Sequence, residues 1–212
     1  MNIHLQQPVV TRGVPLDKSS AVVMMMHGRN QTTNDILELA DRISLPDVHY
    51  VAPQAAGNSW YPNGFMSPLN DNEPYLSFAL DCYHTRISEL LEQGIPVTKL
   101  VLLGFSQGAC LTAEYAVRRP GRYGGIVLYT GGVIGPEGMQ RNVEGSFLDT
   151  PVFLGSSDID GWVPEQRVLE TAALYKQMGA DTVARIYKDM DHIVNDDEIA
   201  FARALIRQVQ SA

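Results

Sequence analysis

The 212-residue sequence holds two cysteines, no run of lysine or arginine, and no apolar stretch near the roughly 20 residues that a membrane-spanning helix requires. Each scarcity excludes something. Cys82 and Cys110 fall within helical patterns with no metal-ligand spacing around them, so buried thiols are expected rather than a disulfide or a metal site. Acidic residues outnumber basic ones, 24 to 16, and the formal net charge of -8 would repel a polyphosphate backbone. Nucleic acid is therefore not an expected partner. Residues 1–17 lack the apolar core of a signal peptide, which predicts a cytoplasmic protein with no membrane span.

What the chain has in quantity is hydrophobic side chain, 45% of residues, enough at this length for one domain over residues 1–212 with a sizeable core. Short aliphatic or β-branched runs alternate with longer amphipathic ones. That alternation predicts an α/β fold, a mostly parallel twisted sheet with helices on both faces. Strands are predicted at 21–26, 48–51, 100–103, 125–129, 152–154 and 182–187, and helices at 34–43, 75–93, 107–118, 164–178 and 196–209. In the 75–93 helix, Leu76, Leu80, Tyr83, Ile87, Leu90 and Leu91 read as one core-facing stripe. Residues 3–11 read as an antiparallel edge strand interrupted by Pro8. Two segments, 53–74 and 130–150, lack regular pattern and follow the C-terminal ends of strands, the edge where parallel sheets carry their sites. Both are predicted to line a pocket. Neither is long enough for a cap domain, which predicts an accessible cleft.

Gly104-Phe105-Ser106-Gln107-Gly108 follows the strand pattern at 100–103 and opens the helix at 107–118. A sharp strand-to-helix turn thrusts its central side chain above the sheet and tolerates little bulk two residues to either side, so Ser106 is the candidate nucleophile. The same turn aims the N–H of Gln107 at charge developing on an attacked carbonyl. A serine hydroxyl needs a base, itself held by an acid. Of five histidines, His4 lies at the N-terminus, His49 in a strand and His84 in a helix, all read as structural or surface residues. His192 lies between the last strand and the last helix, where a base would follow. His27-Gly28-Arg29-Asn30 resembles the His-Gly-x-Gly turn of α/β hydrolases, which makes His27 structural and the Arg29 N–H the second oxyanion donor. For the acid, counting from Gly155 selects Asp158, and counting back from Val163-Pro164 selects Asp160. Asp160 is preferred because the helix start fixes its distance more firmly; Asp158 is the alternative.

Together with Asn58-Ser59-Trp60-Tyr61 and Met190-Asp191-His192, these motifs make the chain similar to the phospholipase/carboxylesterase family of α/β hydrolases, nearly end to end. Asp191 stands where many relatives have glycine, adding a carboxylate beside His192. The resemblance implies hydrolysis of a small-molecule carboxylic ester or thioester with no cofactor and no metal. It implies an apolar substrate wall from Trp60, Tyr61, Phe65 and Met66, with Trp162 a further candidate. Without a cap, a short to medium acyl group fits better than an enclosed long one. A homodimer is compatible with the resemblance, although no decisive apolar patch stands out. Two rival readings are a dienelactone-type lactone hydrolase, which would carry cysteine in place of Ser106, and a silent hydrolase-fold binding module, which would have lost one of Ser106, His192 or the acid.

Overall fold

A computed structural model describes residues 1–212. Seven strands form one sheet: β1 (Val9–Gly13), β2 (Ala21–Met26), β3 (Val48–Pro53), β4 (Leu100–Phe105), β5 (Gly125–Tyr129), β6 (Pro151–Ser157) and β7 (Asp181–Tyr187). Their spatial order is β1-β3-β2-β4-β5-β6-β7, with β1 antiparallel to β3 and every other pairing parallel. The helices are α1 (Thr33–Ile43), α2 (Tyr75–Glu92), α3 (Gln107–Arg118), α4 (Glu165–Gln177) and α5 (Asp196–Ser211). None is long and apolar enough to cross a membrane. This is the α/β-hydrolase arrangement.

Strands covered on both faces read as unbroken apolar runs, and β2, Ala-Val-Val-Met-Met-Met, is buried at all six positions. Its side chains alternate between two cores. Val22, Met24 and Met26 join the core under α2, α3 and α4, while Ala21, Val23 and Met25 join the core under α1 and α5. Ser106 sits on the sheet's C-terminal edge between those cores, at the end of the central strand β4.

Element types match the alternation, and the differences are local. β1 begins at Val9 rather than residue 3, because residues 4–7 close a turn in which the Gln7 N–H donates to the His4 carbonyl. Leu91 is 40% exposed, turned off the α2 stripe in its last turn, and is not core. Residues 130–150 do not line the cleft; they pack behind it. Arg167 donates to the carbonyls of Val133 (2.9 Å) and Gly135 (2.8 Å), Glu114 accepts from the Ile134 N–H, and the Gly135 N–H donates to the Phe65 carbonyl (2.8 Å). That segment braces the Phe65 loop from below.

Candidate active site

β4 ends at Phe105 and α3 begins at Gln107, leaving Ser106 alone at the turn with φ 54° and ψ -120°. A non-glycine residue rarely occupies that region, and the surroundings must hold it there. Two glycines allow the approach. A Cβ on Gly104 would collide with the Gly108 carbonyl, and one on Gly108 would collide with the carbonyls of Met26 and His27. Sheet and helix therefore meet too closely at this point for any side chain.

His192 Nε2 lies 2.9 Å from Ser106 Oγ, and His192 Nδ1 lies 2.6 Å from Asp160 Oδ2. The Asp160 side chain is wholly buried. Its other oxygen accepts the N–H groups of Trp162 (2.8 Å) and Val163 (3.0 Å), so the loop entering α4 orients the carboxylate. Asp158 instead accepts from the Asp189 N–H at 2.9 Å and is exposed. Asp191 is exposed, and its carbonyl accepts from the Ile193 N–H.

The turn after β2 is pinned from several sides. Gly28 N–H donates to Gln31 Oε1, Asn30 N–H donates to the Asn58 carbonyl, and Asn30 takes φ 60°, the left-handed conformation that glycine would supply. The N–H of Arg29 makes no bond within the chain. The N–H of Gln107 opens α3, where a helix leaves its first donors free. His27 is buried beneath the turn. Its Nε2 accepts from the Ala55 N–H (3.0 Å), so Nδ1 carries the hydrogen and donates to the Gly28 carbonyl (2.8 Å). Burial lowers its pKa and keeps the ring neutral.

Trp60 does not form a substrate wall. It is fully buried between the rings of His4 and His27, and its indole N–H donates to the His27 carbonyl at 2.9 Å. His4 is structural: it is buried, accepts from the Ala56 N–H, and bonds the Trp60 carbonyl. Met66 does not line the cleft, although its neighbour Phe65 does. A feature absent from the sequence reading is the buried side chain of Gln107, whose amide accepts from the Trp60 N–H (3.0 Å) and donates to the Tyr61 carbonyl (2.8 Å). It ties the 59–61 segment to the turn that carries Ser106.

Ser106 and His192 open into a cleft of about 1080 Å³. Tyr61, Phe65, Cys110 and Val163 line one part, with Trp162, 76% exposed, at its mouth. Burial pushes the Cys110 thiol up to about 12, so it is a protonated wall group. Ile36, Leu39, Phe105, Ile193 and Val194 line the rest. Leu39 is the signal that the α1 wall leaves in the sequence, an apolar residue beside the buried stripe of Ile36, Leu37, Ala40 and Ile43.

Comparison with known proteins agrees with this geometry. The chain is 27% identical to acyl-protein thioesterase 1 of Saccharomyces cerevisiae over 152 residues, a match covering 71% of this chain and 62%, under two thirds, of that protein. Acyl-protein thioesterase 1 of Candida albicans is 28% identical over 92% of this chain and 96% of its own length. The crystal structure of a phospholipase/carboxylesterase from Dyadobacter fermentans superposes with a TM-score of 0.91 at 39% identity, covering 98% of this chain and 99% of that one. Residues 9–210 match the phospholipase/carboxylesterase family model, and the chain belongs to that family of hydrolytic enzymes.

Proposed function

We propose that this enzyme hydrolyses carboxylic esters of short to medium acyl chains, and thioesters second, through an acyl-enzyme on Ser106. The observation that carries the reading is the unbroken hydrogen-bonded run from Ser106 Oγ through His192 to the buried Asp160. The relatives named acyl-protein thioesterase support the thioester part.

Ser106 Oγ attacks the carbonyl carbon while His192 Nε2 takes its proton. The oxyanion so formed faces the N–H groups of Arg29 and Gln107, each such donor being worth about 10²–10³ in turnover. Collapse expels the alkoxide or thiolate, which takes the proton back from His192. Water then attacks the acyl-enzyme by the same steps and frees the acid. Asp160 keeps the Nδ1 hydrogen in place and stabilises the imidazolium.

A fluorophosphonate should label Ser106 and abolish hydrolysis, and Ser106→Ala should lower turnover by about 10⁶-fold without changing the melting curve. Labelling of another serine, with activity intact in Ser106→Ala, would remove the proposal.

A further inference from the structure

We infer that the part of the cleft between α1 and the His192 loop receives the alcohol or thiol half of the substrate, and that it selects an apolar group, neutral or cationic, over an anionic one. This rests on the hydrolase reading above. The two parts of the cleft belong to opposite faces of the sheet. Tyr61, Cys110 and Val163 are members of the core under α2, α3 and α4, and Phe65 packs against it. Ile36 and Val194 are members of the core under α1 and α5, and Leu39 and Phe105 pack against that one.

His192 stands on the α1 side, its ring 5.2 Å from that of Phe105 and its loop continuing into Ile193 and Val194. The departing oxygen or sulfur must take a proton from His192 Nε2, so the leaving half lies beside that ring. Of the four groups on the tetrahedral carbon, one is Ser106 Oγ, one faces Arg29 and Gln107, and one faces His192. The acyl chain takes the direction left, toward Tyr61 and Phe65. Ile193, 52% exposed at the mouth, offers the leaving half apolar surface that nothing else in the chain covers.

Charge narrows the choice. Asp35 and Glu38 line this part of the cleft, and Glu38 makes no ion pair. Arg42 is its one cation, already engaged by Asp196 (2.8 Å) and the Val194 carbonyl (2.8 Å). Arg29 keeps its charge but is held across the cleft, where it donates to the carbonyls of Pro62 and Asn63. A leaving half bearing phosphates meets excess negative charge here, on a chain of net charge -8.

The test holds the acyl half constant. Phenethyl butyrate should exceed ethyl butyrate in kcat/KM by about tenfold, since burying a few carbons in an apolar pocket discriminates on that scale. Ile193→Ser, a surface change, and Leu39→Ala should each pull the ratio toward one, whereas Phe65→Ala should leave it and weaken the preference for butyryl over acetyl. Butyrylcholine relative to its uncharged isostere, neohexyl butyrate, should fall about threefold in Glu38→Gln and fall again with added salt. A phenethyl-to-ethyl ratio near one, or one that answers to Phe65→Ala and not to Ile193→Ser, overturns the assignment of halves. A choline ratio indifferent to Glu38→Gln at low salt overturns the charge selection. No turnover of any of these esters, with Ser106 unlabelled by a fluorophosphonate, would sink the hydrolase reading itself and is told apart by that labelling.

Discussion

Asp160 and Asp158 are the same carboxylate two positions apart, and what separates them is which N–H groups each can reach. Asp160 turns one oxygen to Trp162 and Val163 and the other to His192, while Asp158 spends an oxygen on Asp189. Asp160→Asn is therefore expected to lower turnover by about 10⁴-fold, since an amide favours the wrong imidazole tautomer, and Asp158→Asn by less than about threefold. Steady-state kinetics on one activated ester reads both. Gly108→Ala should be severely damaging, because its Cβ lands on rigid backbone carbonyls of the β2 end. Loss of soluble protein, or a melting temperature lowered by several degrees, would register it. The Ser106 turn was legible in the sequence because it is set by local backbone, whereas the 155–164 loop gave two conflicting counts, with Asp160 preferred and Asp158 left as the alternative. Trp60 was not. Nothing local distinguishes an indole lining a cleft from one wedged between His4 and His27, contacts 56 and 33 residues away.

Elements were legible wherever one period dominated, as in β2 and α3, whose bounds match the pattern to the residue. The roles of elements were less so. Residues 130–150 looked like pocket because they follow β5, yet Arg167 and Glu114, buried on α4 and α3, draw them beneath the Phe65 loop instead. The first turn of α5 is another case: Glu198 closes a capping box with Asn195, ordinarily a surface device, but here it is fully buried. Burial raises its pKa from 4.5 to about 7, with the hydrogen bond from the Asn195 N–H and the charge of Arg42 opposing. Between those values the unfolded chain loses a proton that the folded one keeps, so this group's contribution to stability falls as pH rises through the window. His4 and His27, lowered from 6.5 by burial, act oppositely, weakening the fold as pH drops below that value. Comparing Glu198→Gln with the unaltered protein cancels the histidines. Urea unfolding should show the variant gaining relative stability between pH 4.5 and about pH 8, by at most about 3 kcal/mol. A pH-independent difference would mean that Glu198 ionises normally in the folded protein.

At the scale of the whole molecule, the strand order brings Ser106, His192 and Asp160 from β4, the β7–α5 loop and the β6–α4 loop to one edge of the sheet. The cleft is then a seam between two hydrophobic cores, built from residues that each core leaves at its rim. A seam has depth set by the rim and no roof, which limits how much acyl chain it can shield. Tyr61, Phe65, Cys110 and Val163 offer a few methylenes of contact, and beyond them stands Trp162, largely in water. Each methylene buried contributes about 0.8 kcal/mol, close to a fourfold step in kcat/KM. With one leaving group and acyl chains from acetyl to palmitoyl, kcat/KM should climb by such steps, then flatten once the chain passes Trp162. Trp162→Ala should bring the plateau forward by a carbon or two and leave acetyl turnover alone. A climb that continues to palmitoyl would require a closed channel through the α2, α3 and α4 core and would overturn this picture of an open cleft.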